Sequence, residues 1–256
     1  MKIVISFLAL ALASGAFAAE SSPPAMFRLY QTDVPPATAA EFYAVQREIA
    51  EVYKTNQAPI PRTVWTSLSA EAGSSLASGS RFMMKVPIAG ITALTESSWL
   101  SQQGTPASRS ARDARFRAAS GTGTGKIITE VPELIWDPSP GVPEPFGVLW
   151  TYSVKVGKAA AFIEYMKQAA EATKKAGQPK RMSSHRVSFG GDINEFSILV
   201  EYTSLADLPT PAAFTAAIGG PANLAAYYQQ QGELIHSVHR DIVRFRPEFS
   251  HVKAAK

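Results

Sequence analysis

The sequence predicts an α+β protein made of two similar halves in tandem, each with the element order βαββαβ. The strand-like run at 27–34 has a counterpart at 147–154, and both lead through a short turn into a long alanine-rich helix. Phe42 and Phe162 occupy matching places in these two helices. The proline-rich stretch 138–145 lies between the halves and is typical of a stiff, extended linker.

The two long helices are predicted at 37–56 and 158–176, because apolar residues recur there every three to four positions. Charged residues fill the opposite face of each helix, so we expect each helix to lie on a sheet with one side in solvent. Asn56 and Gly177 follow the helices at the place where a left-handed terminal residue is common.

A β-hairpin is predicted after each long helix. In the first half 62–70 pairs with 81–86 across a flexible segment at 73–80. In the second half 181–189 pairs with 195–202, where apolar and polar residues alternate as in a half-buried strand.

Less regular helical segments and one closing strand complete each half. The helical segments are predicted at 91–103, 107–119, 211–217 and 222–231, and the closing strands at 126–136 and 235–245. This order is that of the ferredoxin-like unit, whose sheet has one face covered by helices and one bare face. Two units, at 26–137 and 146–250, can bury their bare faces against each other and form an intrachain pseudo-dimer.

Three stretches of the second half carry a family resemblance. They read YSVKVGKAAAF at 152–162, EYTSLAD at 201–207 and RDIVRFRPEF at 240–249. Together they resemble a NIPSNAP-type domain and, more broadly, the dimeric α+β barrel superfamily. The likeness covers most of the second half and, more loosely, the first. It implies an α+β barrel, but the superfamily contains haem-degrading and quinone-forming monooxygenases, chlorite dismutase-like enzymes and proteins of no known activity, so fold does not choose among them.

The N-terminus has the three parts of a secretory signal peptide. Lys2 supplies the positive charge, 3–13 the apolar run, and Ala16 to Ala18 the small residues of a cleavage site. We therefore expect residues 1–18 to be removed and the mature protein to be periplasmic or secreted. No later segment is apolar for long enough to predict a membrane span.

Composition excludes several classes of function. The chain has no cysteine, which removes disulfides, thiolate metal ligands, a thiol nucleophile and covalent haem attachment. The formal net charge is +4, but lysines and arginines are scattered singly among acidic residues, so we expect no nucleic-acid partner.

The four histidines are the first candidates for chemistry. His185 falls within a strand of the second hairpin, and His239 falls on the last strand. Either side chain is a candidate catalytic base or haem ligand, because imidazole titrates near neutral pH. His236 and His239 lie three residues apart, so a regular strand places them on opposite faces and they cannot share a metal ion. No metal site is predicted, and the sequence identifies no cofactor.

Trp150, Tyr152 and Arg181 are the candidate ligand-binding residues. The two aromatic side chains are expected to line an apolar cleft between the sheets, and Arg181 to meet an acidic group of the ligand. The leading hypothesis is binding of a small hydrophobic or aromatic molecule in that cleft. The alternative is a monooxygenase-like or haem-binding enzyme, so enzymatic activity stays open. A third hypothesis is that the two halves serve as an assembly module. The formation of a homodimer is a further open alternative.

Overall fold

The computed structural model contains one continuous α+β unit. It describes residues 23–68, 80–90, 99–138 and 141–252. The predicted signal peptide at 1–18, most of the flexible segment at 73–80 and the start of the helical segment predicted at 91–103 lie outside the described residues.

Both halves have the predicted order of helices and strands. The first half contains β1 (Met26–Val34), α1 (Ala39–Thr55), β2 (Thr63–Ser67), β3 (Ser80–Ile88), α2 (Pro106–Ala119) and β4 (Gly123–Glu130). The second contains β5 (Phe146–Val154), α3 (Ala159–Ala176), β6 (Arg181–Phe189), β7 (Glu195–Tyr202), α4 (Pro211–Ala217), α5 (Pro221–Leu234) and β8 (Ile235–Phe245). β4 is shorter than the predicted 126–136, because Pro132 lacks the N–H that a ladder needs and begins a 3-10 turn instead.

The eight strands form one closed barrel in which all neighbouring pairs are antiparallel. The order around the barrel is β1-β3-β2-β8-β5-β7-β6-β4. Each half contributes four adjacent strands, and the pairs β2–β8 and β4–β6 join the halves. The expected cleft between two facing sheets is therefore the inside of a barrel, and closure leaves no open sheet edge at either seam.

The helices pack on the outside of the barrel, and one phenylalanine anchors the long helix of each half. Phe42 of α1 and Phe162 of α3 are both fully buried. Phe42 lies 5.0 Å from Phe82 of β3, and Phe162 lies 4.9 Å from Phe196 of β7, measured between ring centroids. Among the described residues, no helix combines the length and the apolar character that crossing a bilayer requires.

The expected left-handed residues after the long helices are not found. Asn56 has φ −94° and Gly177 has φ −131°, so neither backbone is left-handed. Gln57, one residue later, has φ 49°. Gly177 is needed for a different reason, since a Cβ there would lie 2.9 Å from the carbonyl oxygen of Asp207.

Arg62 ties the C-terminal segment to the first half. Its guanidinium is fully buried, and it donates to the Phe249 carbonyl oxygen and to the side chain of Gln46. Its backbone pairs with that of His251. Burial lowers the pKa of Arg62 to about 10, which leaves the group charged at neutral pH.

Candidate functional site

The barrel interior contains a cavity with mixed apolar and polar walls. A volume of about 60 Å³ is open to the centres of water molecules, which at roughly 10–15 Å³ each is room for a few waters. Its apolar lining consists of Leu29, Trp65, Met83, Ile128, Leu149, Leu199 and Val243. Its polar lining consists of Gln31, Lys85, Thr151, Ser183, His185, Glu195 and Ser197.

Lys85 and His185 meet on the wall of this cavity. Lys85 lies on β3 of the first half and His185 on β6 of the second, and Lys85 Nζ is 3.4 Å from His185 Nε2. Phe27 of β1 completes the cluster. Its ring lies edge-on to the imidazole, with centroids 5.4 Å apart, and Lys85 Nζ lies 4.5 Å from the Phe27 ring centroid. His185 is only 5% exposed, whereas Lys85 and Phe27 are partly buried.

Burial controls the protonation of both groups. It lowers the pKa of His185 well below 6.5, and the positive charge of Lys85 lowers this pKa further. Burial also lowers the pKa of Lys85, although the carboxylates of Glu130 and Glu201 partly oppose that effect. An ammonium group can only donate, so Nε2 of the neutral imidazole accepts and Nδ1 carries the hydrogen.

Lys85 lacks a carboxylate partner in the part of the chain that the structure describes. None of the ion pairs there includes it, and its polar side-chain contact is the one with His185. Lys85 is partly buried, and a partly buried cation without a carboxylate partner is under-compensated. The arrangement therefore favours a ligand that brings an oxygen acceptor or an anionic oxygen to Lys85.

A second cation on the cavity side is already paired. Lys126 of β4 donates to both carboxylate oxygens of Glu195 on β7 at 2.7 Å. This ion pair joins the two halves across the barrel and satisfies both charges. Lys126 is therefore a poorer anchor for a ligand than Lys85.

His239 does not reach the cavity. Its side chain is 60% exposed, and Nε2 lies 3.1 Å from Oδ2 of Asp241. Asp241 also accepts from Nη1 of Arg81 at 3.2 Å. The structure therefore separates the two histidine candidates: His185 lies inside the barrel, and His239 lies on its surface.

Arg181 lies beside the linker, not on the cavity wall. It donates to the carbonyl oxygens of Gly141 and Val142, and its Nε lies 3.6 Å from a carboxylate oxygen of Glu201. Burial raises the pKa of Glu201 to about 7, against the opposing effects of the backbone N–H of Glu144 and the charge of Arg181. The expected contact of Arg181 with a ligand is replaced by contacts that hold the linker.

Trp150 and Tyr152 lie on the outer face of β5, which corrects the expectation that they line the cavity. Tyr152 packs against Phe162 of α3, with ring centroids 5.2 Å apart, and Trp150 stacks on Tyr152. Leu149 and Thr151 occupy the inner face of the same strand. Side chains alternate along a strand, so the position of one residue relative to the barrel decides the face of all of them.

Sequence reasoning did not select Lys85. The signal it could have used is a lysine inside the otherwise apolar run FMMKV at 82–86, because a buried strand rarely carries a charge. The partner residue His185 is 100 positions away, and its proximity follows from barrel closure alone.

Known structures share this architecture at low sequence identity. Neither family models nor curated protein sequences match the chain. A candidate monooxygenase from Fusobacterium nucleatum subsp. nucleatum ATCC 25586 is similar over 91% of this chain and 96% of its own, with TM-score 0.59 and 11% identity. An anthrone oxidase-like protein is similar over 91% of this chain and 94% of its own, with TM-score 0.57 and 8% identity. The chain has the dimeric α+β barrel fold.

A third structure of this barrel fold supports the same conclusion. A candidate monooxygenase from Lactobacillus acidophilus NCFM is similar over 90% of this chain and 99% of its own, with TM-score 0.55 and 11% identity. Identities this low show the fold alone.

The interior of this α+β barrel does not fit a haem. A cavity of about 60 Å³ does not admit a tetrapyrrole, and Nε2 of His185 faces the ammonium of Lys85 at 3.4 Å. The exposed Nε2 of His239 is directed at Asp241. Within the described ranges, no three histidine, aspartate or glutamate side chains are grouped closely enough to hold a metal ion.

Proposed function

We propose that the barrel interior binds a small, mainly apolar molecule, up to one aromatic ring in size, that carries an acidic hydroxyl or another oxygen acceptor. The observation that supports this proposal is the Lys85–His185 contact of 3.4 Å on the wall of an otherwise apolar cavity, without a carboxylate beside the lysine. Pockets with apolar walls and a few converging polar groups are typical of small-molecule sites.

The proposed ligand lies with its oxygen near Lys85 and its ring against the apolar walls. An oxygen anion compensates the buried ammonium, and such charge-assisted hydrogen bonds are about twice as strong as neutral ones. Leu29, Leu149 and Leu199 supply the walls for the ring. The ring displaces the waters of the cavity, and the flexible thioether of Met83 gives way to it.

The direct test uses 4-nitrophenol, whose neutral and ionised forms differ in colour. We expect saturable binding with a shift toward the phenolate absorbance, because the Lys85 ammonium favours the anion. 4-Nitroanisole, which has no ionisable hydroxyl, should bind at least ~10-fold more weakly, since one charge-assisted hydrogen bond is worth about 1.5–3 kcal/mol.

Two lysine variants complete this test. Lys85→Met should remove the colour shift, whereas Lys54→Met, on the exposed face of α1, should leave it unchanged. Equal affinity of the wild type for the phenol and its methyl ether, or an unchanged colour shift in Lys85→Met, would contradict the proposal.

The second candidate function is oxygenation of an activated phenol or a similar carbon acid. Its support is the fold shared with two candidate monooxygenases and an anthrone oxidase-like protein, together with the neutral imidazole of His185. In this scheme His185 takes a proton from the substrate, Lys85 stabilises the resulting oxyanion, and molecular oxygen is the oxidant. Resorcinol, an activated phenol with one ring, keeps within the size limit that the cavity sets and is a suitable first substrate. Oxygen uptake that depends on resorcinol and is lost in His185→Gln supports this function, and no uptake above the buffer rate contradicts it.

We also infer that the two halves are a tandem duplication of a ferredoxin-like unit, related to NIPSNAP-type domains. Supporting this, β4-β1-β3-β2 and β8-β5-β7-β6 have the same order when strands are counted within each half. The equivalent burial of Phe42 and Phe162 agrees with it. A homodimer of the whole chain is a further proposal, which light scattering of the purified protein tests.

Export to the periplasm or the exterior is likewise a proposal, and it rests on the signal-peptide pattern at 1–18. Expression of the full chain followed by N-terminal sequencing of the periplasmic fraction tests it. Recovery of a mature chain that begins at residue 19 supports export, and an uncleaved cytoplasmic chain contradicts it.

A further inference from the structure

We propose that Lys85 forms a reversible imine with the carbonyl carbon of small aromatic aldehydes held in the barrel interior. This inference rests on the proposed function, because it uses the same cavity and the same ligand orientation. It adds a covalent step and a nucleophile, and it narrows the ligand class to aromatic molecules with a reactive carbonyl group.

The position of Lys85 suits a nucleophilic amine. Its Nζ lines the cavity, and within the described residues no carboxylate lies in ion-pair range to keep it protonated. Burial lowers the pKa of Lys85, which raises the fraction of neutral amine at a given pH. By contrast, the amine of Lys126 is engaged in an ion pair with Glu195 at 2.7 Å.

His185 is placed to move the protons that imine formation requires. Its Nε2 lies 3.4 Å from Lys85 Nζ, and its neutral imidazole can accept one proton. Ser183 and Ser197 line the same cavity, and their hydroxyl groups can donate to the carbonyl oxygen of the ligand. The nucleophile, the base and the hydrogen-bond donors thus line the same cavity.

The reaction balances without an oxidant or a reductant. The lone pair of neutral Nζ adds to the carbonyl carbon, and the π electrons move to the oxygen. Nε2 of His185 accepts a proton from the nitrogen and passes it to the oxygen, which gives a neutral carbinolamine. A second proton transfer by the same route converts the hydroxyl into water. The water leaves with the carbon–oxygen electron pair while the nitrogen lone pair forms the C=N bond.

The test uses the purified protein with benzaldehyde and sodium cyanoborohydride, which reduces an imine to a stable amine. We expect one benzyl group per chain at low aldehyde concentration, located by mass spectrometry on the peptide that contains Lys85. Lys85→Arg should lose this labelling and retain a positive charge at the site. His185→Gln should slow it by at least ~10-fold, because general acid–base catalysis contributes about 10²–10⁴-fold.

The outcomes separate this inference from the proposed function. Labelling spread evenly over surface lysines, or unchanged labelling in a folded Lys85→Arg protein, overturns the imine. If 4-nitrophenol still binds with its colour shift in that case, only the covalent step fails. If neither probe binds, the proposed function fails as well. Thermal melting of both variants confirms that they are folded before labelling is compared.

Discussion

Lys85 Nζ and His185 Nε2 lie 3.4 Å apart although the two residues belong to different halves of the chain. Neither strand pairs with the other, since β1 and β4 lie between β3 and β6 around the barrel. The contact therefore crosses the interior, and it depends on the β4–β6 seam, through which β6 of the second half is joined to the strands of the first.

The first prediction concerns stability at acid pH. The pKa of His185 in the folded protein lies well below 6.5, so between that value and 6.5 the unfolded chain binds more protons than the folded one. The free energy of unfolding should therefore fall as the pH falls below about 6.5, the unfolded value. Urea unfolding at pH 8 and pH 5 measures the loss.

The matched controls for this experiment are two histidine variants. His185→Gln should show a smaller loss between pH 8 and pH 5 than the wild type. His236→Gln changes an exposed side chain and should leave the loss unchanged. An equal loss in the wild type and in His185→Gln would contradict the assigned burial of a neutral imidazole.

The second prediction concerns the electrostatic coupling of the pair. Burial is the larger cause of the lowered pKa of His185, and the charge of Lys85 is the smaller one. Lys85→Met removes only the second cause. The pKa of His185, followed by NMR titration of the ring protons, should rise and remain below 6.5. An unchanged pKa would mean that the two groups do not interact in solution.

The third prediction concerns Glu201 beneath the linker. Its pKa is raised to about 7 in the folded protein, mainly by burial, whereas the ordinary value is 4.5. Between these two pH values the folded state thus binds more protons than the unfolded chain. The contribution of Glu201 to stability is therefore present below about pH 4.5 and is lost as the pH rises through 7. With 1.36 kcal/mol per pH unit, the loss is at most ~3 kcal/mol.

Glu201→Gln tests this sign. Glutamine keeps the shape and an acceptor for the backbone N–H of Glu144, but it does not ionise. The variant should gain stability relative to the wild type between pH 5 and pH 8, measured by urea unfolding. If the wild type gains relative to the variant over that range, the ion pair with Arg181 outweighs burial and the assignment is wrong.

The fourth prediction contrasts adjacent positions on β5. Leu149 faces the cavity and Trp150 faces the helices. Leu149→Phe should fill the cavity and weaken 4-nitrophenol binding at least ~10-fold, with an overpacking cost of about 1–3 kcal/mol. Trp150→Phe should reduce stability and leave the affinity of the folded protein unchanged. The reverse pattern would place the ligand outside the barrel.

Much of the secondary structure was predictable from sequence because it depends on local periodicity. The helices around Phe42 and Phe162 follow from apolar spacing, and the hairpin 181–189 with 195–202 is confirmed to the residue. The predicted end of β4 at residue 136 was wrong because the run contains Pro132, which has no N–H to donate to a strand ladder.

The candidate site was less predictable because the face of a strand depends on long-range register. Trp150 and Tyr152 looked suited to a ligand pocket because they are aromatic, yet aromatic residues also suit the sheet–helix interface. Of the candidate residues that the sequence indicated, His185 lies on the cavity wall, and its catalytic role stays a prediction. Lys85 was not among the candidates: its apolar neighbours in the strand are a local signal, but the long-range register decides whether a strand lysine faces inward.

The sequence by itself determined the order of helices and strands, the matching halves and the lack of thiol chemistry, since these follow from periodicity and composition. The sequence resemblance also implied an α+β barrel, but only the tertiary structure decided the order of the strands around it, which strand faces turn inward, and that Lys85 meets His185. The physical reason is that strand pairing between distant segments sets register, and register, with a period of two, assigns every side chain to one face or the other.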